Sequence, residues 1–79
     1  VKLGIDVQKF LSNWAIENSD ELVEDIEQII HNHSFSDEQK IKAVYTKTLN
    51  YVFGAITVTI NENNKEIERQ LRRAGVQLP

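Results

Sequence analysis

Cysteine is absent from the chain, and so is methionine. Without cysteine there is neither a disulfide framework nor a thiolate zinc site, which fits a reducing interior and a cytoplasmic protein. The missing methionine, initiator included, marks a processed or excised chain, so its first residues are not expected to be the natural start. No apolar run approaches the about 18–20 residues of a membrane span. The longest candidate, Tyr51 to Ile60, is interrupted by Gly54, Thr57 and Thr59. No basic segment followed by an apolar one opens the sequence as a leader would. A basic surplus is missing too. The net charge is −3 and the isoelectric point near 5.3, far from the electrostatic footprint of a nucleic-acid binder.

What remains is a globular composition, 41% hydrophobic and 27% charged over 79 residues, unlike that of a disordered chain. Residues 1–79 make one domain, small enough that folding buries only about 60–65% of the unfolded surface. The charge is unevenly spread: residues 1–38 sum to −7 and residues 39–79 to +4. Two halves attracting each other within one fold explain the split, and so do two faces turned to different partners.

The patterning is helical almost throughout. Val7, Phe10, Leu11, Trp14 and Ala15 recur at the spacing of one helix face. Asp6 precedes them as an N-cap, and Ile5 and Phe10 occupy the two positions of a hydrophobic staple. Asn18, Ser19 and Asp20 then interrupt, each a competent N-cap, and a second helix is expected over Leu22, Val23, Ile26, Ile29 and Ile30. Asp20, Glu21, Glu24 and Asp25 would crowd its first turns, where the helix dipole favours negative charge. Exposed, they form an acidic docking face for a basic partner. Acid–base work by paired carboxylates needs a cleft that separates their pKa values.

The stretch "HNHSFSDEQ", residues 31–39, invites a metal reading of His31 and His33. Two residues apart on a helix, the imidazoles point about 200° away from each other, and a zinc site needs three or four ligands. The stretch reads better as stop, turn and start. Imidazoles suit a helix C-terminus, Asn32 can adopt the left-handed conformation that ends helices, and Ser36-Asp37-Glu38-Gln39 is a capping-box pattern. Neither the acidic cluster nor Asn61-Glu62-Asn63-Asn64 has the alternation and central glycine of a calcium loop. No nucleophile triad or glycine-rich phosphate loop occurs, and Gly4, Gly54 and Gly75 stand alone. No enzyme, cofactor or small-molecule ligand is expected.

From Ile41 the apolar positions run Ile41, Tyr45, Leu49, Val52, Ile56, Ile60, Ile67, Leu71 and Ala74. One helix over residues 37–73 would span about 55 Å, whereas a compact chain of this size is only about 30 Å across. Such a helix must find a partner or break. Asn61-Glu62-Asn63-Asn64 offers the place to break. Ile56-Thr57-Val58-Thr59-Ile60 alternates as a β-branched strand would, but the unslipped helical phase from Ile41 to Ile60 favours helix. In a continuous helix Phe53, Ile56, Ile60, Asn63 and Ile67 lie near a heptad seam with Leu71 beside it, and Asn63 would set register and oligomer state. The last stretch, Lys65–Gly75, reads as a short amphipathic helix ended by Gly75. Its Arg69, Arg72 and Arg73 complement the helix dipole or contact phosphates.

The sequence therefore predicts an all-α fold, a small bundle of three or four helices with a long third helix, straight or kinked. Its expected role is that of a non-enzymatic protein-interaction or self-assembling regulatory module, a homodimer joined through Phe53, Ile56, Ile60, Asn63, Ile67 and Leu71. The alternative is a small DNA-binding transcriptional or replication regulator that uses its C-terminal basic helix.

Overall fold

A computed structural model describes residues 3–77. These residues form two antiparallel α-helices, α1 (Val7–Ile30) and α2 (Asp37–Arg73), joined by a six-residue turn, with no strand among the described residues. The architecture is a long hairpin, not a bundle of three or four helices. The correction begins in α1, which does not stop at Asn18-Ser19-Asp20. The Asn18 amide donates back to the Trp14 carbonyl at 2.8 Å and the Ser19 hydroxyl to the Ile16 carbonyl at 2.8 Å. Side chains that could cap a new helix instead bond the carbonyls of the helix they stand in, as such residues do mid-helix. Asp20, Glu21, Glu24 and Asp25 consequently lie in the middle of α1, away from any helix start.

The same back-bonding carries α2 through its β-branched run. Thr57 donates to the Phe53 carbonyl at 2.9 Å and Thr59 to the Ala55 carbonyl at 2.6 Å. The helix also passes through Asn61–Asn64 without a break, and Lys65–Arg73 is its final stretch, not a separate helix.

The ends behave as their residues dictate. Asp6 accepts from the Lys9 backbone N–H at 3.1 Å. Ser36 and Gln39 close both arms of a capping box, at 3.1 and 2.8 Å, ahead of Asp37 and Glu38 in the first turn. His31 is the C-cap of α1. Asn32 is not left-handed, since no described residue other than glycine has positive φ. Its side-chain oxygen accepts from the Ser34 N–H at 3.0 Å instead. At the far end Gly75 has φ +86, and the Val76 and Gly75 N–H groups donate to the Leu71 and Arg72 carbonyls, each at 3.0 Å, a Schellman closure.

Because α2 is 37 residues long and α1 only 24, the last turns of α2 run past the start of α1. Residues 3–6 run back along this overhang. The Gly4 N–H donates to Gln70 Oε1 at 2.7 Å and the Ile5 N–H to Asn63 Oδ1 at 3.1 Å. Gly4 has φ +90, and a Cβ there would overlap the Asn63 side-chain oxygen. Asn63 thus anchors the chain's own first residues.

The molecule measures 59 × 23 × 14 Å with a radius of gyration of 18.2 Å; a compact chain of this length would have about 12 Å. Where the helices meet, α2 offers small residues. A Cβ added at Gly54 would come to ordinary contact distance, 3.8 Å, from the Trp14 ring, and Ala55 and Thr59 are buried. Trp14 and Tyr51 pack with centroids 5.3 Å apart, and the Tyr51 hydroxyl donates to the Ala15 carbonyl.

Candidate functional site

The pairings across the hairpin fix its register. Tyr51 meets Ala15 and Trp14, Lys47 approaches Asp25 at 3.9 Å, and Asn63 meets Ile5. In that register Ile16 stands level with Val52, Val23 with Tyr45, and Ile30 near Ile41.

Helical phase then assigns these residues to a side. Ile16, Val23 and Ile30 each follow by one residue the partly or fully buried Ala15, Leu22 and Ile29, a turn of about 100° away from the seam. Tyr45, Val52 and Ile56 follow Val44, Tyr51 and Ala55 in the same way. Two antiparallel helices turned in the same sense, each seen from its own N-terminus, present those rows on the same broad side. The result is one apolar face with three levels: Ile16 with Val52, Val23 with Tyr45, and Ile30 with Ile41. The exposure is large, 72% for Ile16, 71% for Ile41 and 65% for Tyr45.

The opposite broad side is different. Glu21, Asn50 and Ala43 precede the seam residues by one, and here an open cleft of about 260 Å³ is lined by Trp14, Asn18, Glu21, Asp25, Lys47 and Asn50 among others. One side of the hairpin is apolar along its length; the other carries charge and amides at this cleft and, toward the turn, a groove lined by Ile29, Phe35, Ala43 and Thr46.

The surface expected from sequence divides into two. Phe53, Ile56 and Ile60 are exposed and extend the apolar face around the edge of α2. Asn63, Ile67 and Leu71 are half-buried. Asn63 holds the Ile5 N–H, and Ile67 lies beside Gly4. Among the acidic residues Asp20, Glu21 and Glu24 are exposed, while Asp25 is half-buried and faces Lys47. Arg69 pairs with Glu66 at 2.8 Å, Arg72 with Glu68 at 2.6 Å and Arg73 with Glu66 at 4.0 Å. His31 and His33 sit at the turn, and the described residues bring together no group of three or more His, Asp or Glu able to hold a metal.

Sequence reasoning missed the α1 half of the face. Ile16 lies outside the stripes of both expected helices, and Val23 and Ile30 read as part of one stripe with Leu22, Ile26 and Ile29. The signal was present: Ile16, Val23 and Ile30 are spaced by seven, the repeat of a helix seam. Reading α1 as two helices hid it.

No helix among the described residues is long and apolar enough to cross a membrane. Comparison with known proteins finds no match to a family model, a curated protein or a solved structure.

Proposed function

We propose that the chain is a non-enzymatic protein–protein interaction module, regulatory in role, which works through the broad apolar face of its hairpin. The observation that carries this reading is how little the hairpin buries and how much apolar surface it leaves exposed. Among the described residues only Ile29, Ala55 and Thr59 are buried, while Ile16, Val23, Ile41, Tyr45, Val52 and Phe53 stand in solvent. Exposed apolar patches of this breadth mark interaction sites. A cysteine-free composition is in keeping with a cytoplasmic setting.

The DNA-binding alternative has less behind it, because each of Arg69, Arg72 and Arg73 lies against a glutamate of its own helix. Capture from a nuclease-treated native lysate separates the two readings. The unmodified chain is expected to retain a protein that the Tyr45→Glu variant loses while its circular dichroism stays helical. A catch that disappears with nuclease would instead favour the arginines as phosphate contacts.

A further inference from the structure

We infer that the apolar face is closed by a second copy of this chain, with α1 of each copy lying antiparallel over α2 of the other, so that the pair is a four-helix bundle. The inference rests on the interaction reading above and names the occupant.

Thickness is the first argument. At 14 Å the hairpin is one helix layer deep, and domains are built from at least two packed layers. The second argument is area. The accessible surface is 6402 Å², against about 4,900 Å² for a compact monomer of this mass. The surplus, about 1,500 Å² per chain, exceeds the roughly 800 Å² per partner of a standard stable interface and lies in the range of obligate homodimers. Area alone does not distinguish a second copy from an unrelated partner.

Charge and symmetry do so. Beside the apolar face α1 brings acids alone, Asp20 one turn after Ile16 and Glu27 one turn after Val23, and α2 brings a base, Lys42 next to Ile41; Glu21, Asp25 and Lys47 line the cleft on the far side. Laying α1 on its own copy would set acid against acid. Laying it on α2 of the other copy sets acid against base. A two-fold axis parallel to the helices gives this pairing and also keeps height, so each apolar level meets its own copy: Ile16 and Val52 over Val52 and Ile16, Val23 and Tyr45 over Tyr45 and Val23. Every helix is then antiparallel to both neighbours, as in an up-down bundle.

The test uses the full chain in sedimentation equilibrium and circular dichroism across a dilution series. A dimer is expected whose mass and helicity fall together on dilution. Val23→Ala decides between an exposed and a covered Val23, because alanine is the better helix former. On a lone hairpin this change strengthens the helix. In the dimer it removes buried methyl groups, and the dissociation midpoint is expected to move at least about tenfold to higher concentration, with helicity unchanged at saturation. An unmoved midpoint, or a fully helical monomer at every concentration, overturns the proposal. A monomer that still captures another protein, and loses it as Tyr45→Glu, would overturn self-pairing while leaving the interaction reading intact.

A single spin label at Asn64→Cys reads the arrangement, since the chain has no other cysteine. Overhangs at the same end place the labels about 30 Å apart; α1 over its own copy would put the overhangs at opposite ends, about 60 Å apart. The shorter distance is expected, and the longer one overturns the pairing.

Discussion

Gly4 meets two demands at once: a positive φ and room for the Asn63 side-chain oxygen. Any Cβ violates both. Gly4→Ala is therefore expected to cost about 1–3 kcal/mol, the usual cost of a strained backbone position, and to release residues 3–6 from α2. Amide exchange reads this directly, because the Gly4 and Ile5 N–H groups lose their partners Gln70 and Asn63. Tyr51 poses a smaller question. Its hydroxyl donates to the Ala15 carbonyl, while its ring stacks on Trp14. Tyr51→Phe keeps the ring and drops the hydrogen bond, so a loss of about 0.5–1.5 kcal/mol in denaturant unfolding is expected. A loss above that range would show that the hydroxyl also holds the register between the helices.

At the scale of the element, the continuity of α1 yields a prediction whose sign distinguishes two local structures. If Asn18 capped a helix, alanine there would cost about 1 kcal/mol. In mid-helix the same change gains about half a kcal/mol of propensity, and the lost bond served a carbonyl already engaged in the helix. Asn18→Ala is expected to raise the thermal midpoint. The helix ends were legible in the sequence because caps are local: Asp6, Ser36, Gln39 and Gly75 each act within four residues of their own position. Helix interiors were harder to read. Asn18, Ser19 and Asp20 have the composition of a boundary, and whether their side chains turn forward to free N–H groups or back to carbonyls depends on the packing of Trp14 and Leu22 on either side. Residues 56–60 posed the opposite problem. Their β-branched alternation suggests a strand, yet the described residues offer no sheet edge for them, and the helical phase prevails.

At the scale of the whole molecule, the apolar positions of α2 were legible but their surroundings were not. Ile41, Tyr45, Val52 and Ile56 keep helical phase as expected, yet they face solvent, and Ala55 and Thr59 take the seam. Periodicity reports which residues share a face, not which of two faces meets the neighbouring helix. A seam between only two helices covers a narrow stripe, Tyr51, Ala55 and Thr59 among its residues on α2, and leaves Ile41, Tyr45, Val52 and Ile56 outside it. A consequence follows for stability. If a second copy covers them, the thermal midpoint rises with protein concentration, as mass action requires. Scans over a hundredfold range of concentration are expected to show that rise, whereas a constant midpoint would mean that the hairpin stands alone.

The bonds of residues 3–6 to Gln70 and Asn63 also set how the molecule would respond to force. Leu3 and Gln77 lie at one end of the rod and the His31–Ser36 turn at the other. A load applied between those two residues pulls across the seam and not along it, so the contacts are met one after another. The Gly4–Gln70 bond yields first, then Ile5–Asn63, then the Tyr51 hydroxyl on Ala15, with the turn as the last hinge. The same load applied between the turn and Gln77 runs along α2 and stretches the helix itself, leaving the seam unpeeled. One fold thus has a weak direction and a strong one, and the weak one begins where the first residues fasten to the overhang.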